Sequence, residues 1–396
     1  MSLNRFFWCL LMVMSLVNPM VFAQNPGAEF SLKLFKGLAK SQSEDNFLFS
    51  PYAVRFALGM AALGAKGKTQ KQLGKAPEPW ISKKEPLYKL FMANRIWVHL
   101  GFPLNEEYMD AHEKSFGVRP WMSDFSKSPD FVKDRVNGWV AERTQGKIKS
   151  MITEDTLGSL GTFNDPFIRM MLTSTLYFKG NWVSPFDRSE THEGQFATQS
   201  AGKIKVPFMR KTGPFNYLKT SEMQILEIPY LDGEISMVIL LPNSEEDLGS
   251  FENSLKVESL DQWITELSVK VVQVLLPKFD FEFNLDLKEQ LKAMGISDPF
   301  SLETADFSGM DGTKNLFISS LIHQTSINTD EEGSEAISHG GASISRNLAS
   351  ISNSGSSSVG VFRADHPFLF FIRHRGSNSI IFAGHVNKPV VLPSKG

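Results

Sequence analysis

The chain has 396 residues, of which 42% are hydrophobic, and its formal net charge is −2. This near-neutral balance argues against nucleic acid as the main partner. The composition includes 32 phenylalanines but a single cysteine, Cys9, close to the N-terminus. A fold without disulfides must depend on a large packed core, and this chain is long enough to form one.

The N-terminal residues have the pattern of a secretory signal peptide. Arg5 precedes the apolar run FFWCLLMVMSLV, and the sequence VFA comes before Gln24. A charged start, a short apolar centre and a small-residue cleavage site are typical of exported proteins. The apolar run is short for a membrane span. We therefore predict a signal peptide over residues 1–23, a mature domain over residues 24–396, and an extracellular protein without a membrane partner.

Two Ser-Pro pairs predict the first turns of helices. Serine caps a helix N-terminus, and proline fits the first helical turn. Apolar residues at helical spacing follow both Ser50-Pro51 and Ser128-Pro129. A third helix is predicted over Asp286–Ala293, where two leucines are one turn apart.

Five nearly continuous apolar segments predict buried β-strands. A strand that is covered on both faces shows no alternation of apolar and polar residues. The segments are Ile168–Phe178, Ile235–Leu241, Val269–Leu276, Pro367–His374 and Ser379–Val386. Helix and strand signals interleave without a regular βαβα rhythm, so we predict a single α+β domain.

Sequence patterns of enzymes are largely missing. No His-Glu-x-x-His or Gly-x-Ser-x-Gly motif occurs, and the eight histidines do not have metal-ligand spacing. The segment Gly64–Thr69 resembles a phosphate-binding loop, but Ala62 occupies the position of its first glycine. We therefore predict no catalysis, no metal and no other cofactor. Lysines 66, 68, 71 and 75 could bind a polyanion, although a solvated helix face is the simpler interpretation.

Several segments together resemble the serpins, a family of serine protease inhibitors and their non-inhibitory relatives. The matching segments include NFLFSPYAVRFALGMAALGAKGKT, NGWVAERTQGKIKSMI, TLYFKGNW, LPKFDFEF, DEEGSEA, ADHPFLFFIR and FAGHVNKP. They follow the family's order across nearly all of the mature chain. The resemblance implies three β-sheets, eight or nine helices, and an exposed reactive loop at about residues 331–362. We expect a monomer.

The resemblance also implies an inhibitor that acts as a trap. A target protease cuts the reactive loop, which then inserts as a strand into the largest sheet, a behaviour established for serpins. The hinge of this loop comprises Glu331, Glu332, Gly333, Ser334, Glu335 and Ala336. Every second residue from Ser334 to Ala342 is small, whereas the intervening set includes Ile337 and His339. Because strand side chains alternate between faces, one face of this segment can be buried with little steric conflict.

Two adjacent bonds are candidates for the cleavage site. The family's usual spacing, counted from Glu331, points to the bond between Asn347 and Leu348. The only lysine or arginine between Glu335 and Arg363 is Arg346, which points to the bond before Asn347. Trypsin-like proteases bind a cationic side chain, so we predict a trypsin-like partner that recognises Arg346. The alternative is that Arg346 only keeps the loop soluble.

The family pattern places four residues where the main sheet opens: Ser50, Ser174, Trp182 and His323. The family usually has a second serine at Ala53 and an asparagine at Ser174, so we expect a smaller hydrogen-bond network in this protein. The segment Leu73–Tyr88 is short and interrupted by prolines. In some serpins the corresponding helix carries a glycosaminoglycan site, and its shortening argues against glycosaminoglycan activation here.

Two functions are compatible with this resemblance. The first is an extracellular inhibitor of a trypsin-like serine protease. The second is a non-inhibitory serpin, such as a carrier, a storage protein or a protease substrate. The alternating small residues of the loop favour inhibition, whereas the altered network at the sheet opening favours the second function.

Overall fold

The computed structural model describes residues 27–78, 86–125, 129–154, 168–243, 248–334 and 359–389. The predicted signal peptide lies outside these ranges. So do Ser128 and most of the predicted reactive loop, including Glu335, Ala336, Arg346, Asn347 and Leu348.

Nine α-helices occur in the described ranges. They are α1 (Ala28–Ser41), α2 (Pro51–Ala62), α3 (Gly67–Leu73), α4 (Glu106–Phe116), α5 (Pro129–Arg143), α6 (Leu248–Ser254), α7 (Val257–Glu266), α8 (Lys288–Ala293) and α9 (Ser308–Asp311). The N-cap of α2 is Ser50, whose hydroxyl accepts the Ala53 N–H at 3.1 Å. Helix α8 begins two residues later than predicted because Asp286 still pairs with Ile322 in a sheet.

Fifteen β-strands occur in the same ranges. They are β1 (Phe47–Phe49), β2 (Tyr88–His99), β3 (Trp121–Ser123), β4 (Met170–Asn181), β5 (His192–Ala197), β6 (Lys203–Lys219), β7 (Met223–Pro229), β8 (Ile235–Pro242), β9 (Ser268–Pro277), β10 (Phe279–Asp286), β11 (Ile318–Thr329), β12 (Gly333–Ser334), β13 (Gly360–Arg363), β14 (Phe368–His374) and β15 (Ser379–Val386). The five predicted strands correspond to β4, β8, β9, β14 and β15.

The described strands form two hydrogen-bonded sheets. The order in the smaller sheet is β10-β11-β12-β4-β2-β3, and the order in the larger sheet is β1-β15-β14-β8-β7-β6-β9-β13, with β5 paired to β6. Three sheets were expected, whereas the described strands form two. The larger sheet is continuous because the 17-residue strand β6 pairs with β9 over most of its length and with β7 at its end.

Burial agrees with the prediction for β4 but not for β9. Strand β4 is central in its sheet, and its residues Met170–Phe178 are all buried. In contrast, residues 268–271 at the start of β9 are exposed. The prediction that β9 is buried throughout is therefore wrong. Strand β9 lies beside the edge strand β13, which pairs only with residues Val272–Leu275.

Two hydrophobic clusters lie on opposite faces of the six-stranded sheet. The main core fills the space between this sheet, the larger sheet and helices α1 and α2. The second core joins α5, through Val132, Val136 and Val140, to Tyr177 of β4 and Ile322 of β11. Helix α5 therefore covers the outer face of the six-stranded sheet. Within the described residues, no helix is long and apolar enough to cross a membrane.

Candidate functional site

The hinge segment forms a short strand inside the six-stranded sheet. Ser334 of β12 pairs antiparallel with both Gly180 of β4 and Thr329 of β11. Over the rest of their length, β4 and β11 pair directly with each other in parallel, as far as Leu176 and Thr325. Strands β4 and β11 are therefore neighbours along most of their length and separate near their C-terminal ends, where β12 lies between them. We call this boundary between β4 and β11 the seam.

Gly333 makes a close backbone approach to β4. A Cβ atom at this position would lie 2.1 Å from the Gly180 carbonyl oxygen and 2.7 Å from Asn181 Cα. Both atoms belong to the backbone of a central strand, so neither can shift without disturbing the hydrogen bonds of the sheet. Only glycine fits while β12 is in the sheet.

Ser334 is buried, with 1% of its surface exposed, and its hydroxyl has a partner in the main core. Its Oγ lies 2.6 Å from the Tyr230 hydroxyl and 3.5 Å from Thr329 Oγ1. Burial raises the pKa of Tyr230, so its hydroxyl stays neutral. The Tyr230 ring stacks on Trp182, with centroids 4.6 Å apart.

Trp182 holds the chain that leads into β12. Its indole N–H donates to the Asp330 carbonyl at 3.1 Å, and its backbone N–H donates to the Glu332 carbonyl at 2.8 Å. The Asp330 carboxylate accepts the backbone N–H groups of Glu332 and Gly333. These bonds close a tight turn between β11 and β12, and they connect it to the end of β4.

Glu331 anchors the same turn through a buried carboxylate. It accepts hydrogen bonds from Lys278 Nζ at 2.8 Å and from Thr191 Oγ1 at 2.7 Å. Burial opposes ionisation, but the bonds from Lys278 and Thr191 outweigh it and hold the pKa of Glu331 below its usual value. Glu332 lies closer to solvent, with its carboxylate 3.7 Å from Arg188.

A second polar group surrounds His323 inside the sheet. The Nε2 atom accepts the Ser50 backbone N–H at 2.9 Å, while Nδ1 is 3.0 Å from the Ser174 carbonyl and 3.1 Å from its Oγ. The proton therefore lies on Nδ1. Burial lowers the pKa of His323 to about 3, so the ring is neutral at physiological pH.

The network around His323 includes residues that the sequence did not indicate. Asn94 of β2 donates to the Ala53 carbonyl at 2.9 Å and accepts the Thr175 N–H at 3.2 Å. Thr325 donates to the Leu48 carbonyl at 2.7 Å. Asn94 is flanked by Ala93 and Arg95, so no uniformly apolar stretch sets it apart, and its burial follows only from the pairing of β2 with β4.

The four residues predicted at the sheet opening form two separate groups. Ser50, Ser174 and His323 share one network, whereas Trp182 contacts the hinge. Ser174 and Gly180 are six positions apart on β4, which corresponds to about 20 Å at about 3.3 Å per residue. The hinge partners Tyr230, Lys278 and Thr191 were not identified from the sequence, because no local pattern connects them to the segment that follows β11.

Comparisons with known proteins agree with this architecture. The sequence matches the family described as Serpin (serine protease inhibitor) over residues 26–389. The leukocyte elastase inhibitor of Xenopus laevis is 32% identical, and the match covers 91% of this chain and 97% of that protein. Neuroserpin of Homo sapiens is 30% identical, with 98% of this chain and 97% of that protein covered.

Solved structures agree with the same assignment. Uncleaved ovalbumin has a TM-score of 0.77 and 26% identity, and the match covers 91% of this chain and 98% of that one. Serpin48 of the insect Tenebrio molitor has a TM-score of 0.75 and 28% identity, with 91% and 96% covered. The chain belongs to the serpin family, which confirms the predicted α+β serpin fold.

Proposed function

We propose that this serpin is a secreted inhibitor that traps a trypsin-like serine protease after cleavage between Arg346 and Asn347. The observation that carries the proposal is the position of Ser334, which lies in register between β4 and β11. The hinge has thus entered the seam that an inserting loop must use. Membership of a family of serine protease inhibitors supports the same class of activity.

The pairing of β12 defines the register of an inserted loop. Continuing this antiparallel pairing places Ser338 opposite Leu176 and Thr325, and the residue two positions further opposite Ser174 and His323. In each case the two partners now pair with each other. Insertion would therefore separate β4 from β11 and replace one hydrogen-bonded ladder by two.

The same register assigns each set of alternating loop residues to a face of the sheet. Ser334 faces the main core, where it contacts Tyr230. Even-numbered residues of an inserted loop would follow it, and they are small as far as Ala342. Odd-numbered residues, including Ile337 and His339, would face α5. The set with less bulk thus enters the core that is already tightly packed.

The free energy of insertion is adequate for a mechanical trap. A central strand of about ten residues gains hydrogen bonds on both edges, and each is worth roughly 1 kcal/mol net. After the loss of the β4–β11 ladder, the gain is on the order of 10 kcal/mol, which is comparable to the stability of a whole domain. Distortion of a bound protease is therefore energetically accessible.

Trypsin-like specificity rests on Arg346, whose cation complements the acidic pocket of such proteases. A second specificity has separate support, because relatives of this chain are named leukocyte elastase inhibitors. Elastase prefers small side chains, and Ala349 is a small residue close to the expected bond. An elastase therefore belongs in the same test as trypsin.

The test is to mix the mature protein with trypsin, and separately with elastase and chymotrypsin, and to analyse denaturing gels. With trypsin we expect a covalent complex whose mass is the sum of the two proteins less the C-terminal peptide, and mass spectrometry should show that the released peptide begins at Asn347. The variant Arg346→Ala should lose the band of this complex, whereas a control such as Lys40→Ala should keep it. A released peptide that begins at Leu348 would instead assign the cleavage to the bond between Asn347 and Leu348.

The non-inhibitory alternative predicts a different result in the same experiment. This alternative is favoured by Ala53 and Ser174, which occupy positions where the family usually has a serine and an asparagine. Cleavage by all three proteases without a covalent complex band, and without a rise in melting temperature after cleavage, would favour this alternative and exclude a trap for these proteases.

Secretion is tested separately. We propose that residues 1–23 direct export and are removed, which follows from their charge and apolar pattern. Expression of the full chain in a eukaryotic cell should release protein into the medium with Gln24 at its N-terminus. Retention of the full-length chain inside the cell would contradict this assignment.

A further inference from the structure

An alternating row of arginine and tryptophan side chains lies where α5 meets β2 and β3. We call it the Arg–Trp row, and its members in spatial order are Arg143, Trp139, Arg95, Trp121 and Arg135. The distances from guanidinium carbon to ring centroid along the row are 5.9, 4.9, 5.3 and 4.3 Å. Each lies within the range of a cation–π contact.

Three structural elements contribute to the row. Arg135, Trp139 and Arg143 are spaced four residues apart, so they share one side of α5. Arg95 comes from β2, and Trp121 comes from β3, where it pairs with Trp97. The guanidinium of Arg95 is thereby held between Trp121 and Trp139.

The three arginines have no acidic partner among the described residues. Arg95 Nε donates to the Arg119 carbonyl at 3.0 Å, and no ion pair within the described residues involves Arg135 or Arg143. Burial, together with the nearby charges of Arg143 and Arg135, lowers the pKa of Arg95 to about 10. The row is therefore a group of like charges held together by aromatic rings.

The tryptophans of the row also retain unused hydrogen-bond donors. Trp97, behind the row, donates its indole N–H to Thr173 Oγ1 at 2.9 Å. Trp121 and Trp139 are only partly buried, and their indole N–H groups have no acceptor in the part of the chain that the structure describes. Tryptophan and arginine are the residue types that dominate the energetic centres of protein interfaces.

We propose that the Arg–Trp row is a docking site for a short acidic segment of a partner protein. The guanidinium fork matches a carboxylate through two parallel hydrogen bonds, and stacking on the rings holds each fork in place. Arg135 and Arg143 are eight helical residues apart, or about 12 Å. Two carboxylates four residues apart in an extended peptide span about 13 Å.

The surrounding charges favour a short acidic segment over a long polyanion. Asp130, Asp134 and Glu142 are exposed on α5 around the row. Lys133, the nearest lysine on this helix, is paired with Asp130 and Glu154. A sulfated polysaccharide that extended beyond the three arginines would meet these carboxylates, whereas a segment with two or three acidic residues would not.

The experiment measures fluorescence anisotropy of a labelled peptide of about ten residues, made of serine and glycine with two glutamates four positions apart. We expect saturable binding that weakens with salt. Binding should fall about tenfold or more in Arg135→Gln/Arg143→Gln. The charge-conserving variant Arg135→Lys/Arg143→Lys should lose several-fold, because lysine keeps the charge but not the fork.

Matched controls separate docking from a purely structural role. Lys40→Gln/Arg210→Gln removes the same charge from exposed positions elsewhere and should bind normally. A peptide with glutamine in place of glutamate should not bind. Variant melting temperatures and trypsin complexes report folding and trapping independently, so failure of this proposal is distinct from failure of the proposed inhibition.

Two results would overturn the proposal. One is the absence of peptide binding to the native protein, which would leave the row with the role of attaching α5 to the sheet. The other is that a heparin-derived oligosaccharide binds through Arg135 and Arg143 while the acidic peptide does not. The row would then be a site for sulfated glycans.

Discussion

The hydroxyl groups of Ser334 and Tyr230 lie 2.6 Å apart, although the two residues are separated by 104 positions in the sequence. Tyr230 follows β7 of the larger sheet, whereas Ser334 lies in β12 of the six-stranded sheet. The contact therefore joins the hinge to the core between the sheets. It gives the hinge a defined resting position inside the seam.

This hydrogen bond can be measured by a double-mutant cycle. Ser334→Ala and Tyr230→Phe should each lower the free energy of unfolding, and their coupling energy should be about 1 kcal/mol. Urea unfolding of the four proteins at neutral pH gives this value. The pair Ser334→Ala and Tyr217→Phe serves as the control. Tyr217 donates to Gln224, so the effects of these two substitutions on the free energy of unfolding should be additive. Additive effects of Ser334→Ala and Tyr230→Phe would contradict a hydrogen bond between the two hydroxyl groups.

The glycine at 333 should be required for the inserted position of the hinge. In Gly333→Ala the new methyl group meets the Gly180 carbonyl, so β12 should leave the sheet. The Trp182 amide would then lose its bond to Glu332 and exchange its hydrogen faster. Hydrogen exchange measures this, with Gly37→Ala as the control because that position has no neighbour within 4 Å. Unchanged protection of the Trp182 amide would refute the prediction.

If the chain acts as the proposed inhibitor, a charged side chain at position 334 should convert it into a substrate. Ser334→Arg would bury a guanidinium beside Tyr230 without an acid, which costs several kcal/mol, so the hinge could not re-enter the seam. We expect normal cleavage by trypsin but no stable complex on a denaturing gel. Ser334→Ala preserves the small volume and should still trap. Persistent complexes of the arginine variant would mean that insertion does not begin at this residue.

Folding stability should depend on pH through His323. Its pKa is about 3 in the folded protein, below the usual value of 6.5. The unfolded chain therefore binds the proton first, and stability present above about pH 6.5 is lost as the pH falls towards 3. In His323→Gln the slope of unfolding free energy between about pH 6 and 4 should be smaller by up to 1.4 kcal/mol per pH unit, about the value of one proton.

The control for this pH dependence is His192→Gln, which changes an exposed histidine. Its slope should equal that of the native protein. If His323→Gln also retained the native slope, the buried neutral imidazole would have no part in the acid sensitivity.

The sequence by itself determined those features of this protein that depend on residues close together in the chain. The cap of α2 depends on Ser50 and Pro51, which are neighbours in the chain. The uninterrupted apolar run of β4 reports burial on both faces, and residue order carries the resemblance that led to the α+β serpin fold. Each of these features involves residues within one element or one motif.

Tertiary structure decided the rest, because those contacts join distant segments. Packing brings Tyr230 to Ser334 and divides the predicted sheet-opening residues into two groups. It also exposes the start of β9 beside an edge strand. The Arg–Trp row likewise requires α5, β2 and β3 to meet at one place. Side-chain chemistry along the chain names the groups that can interact, but only the relative positions of sheets and helices determine which of them do.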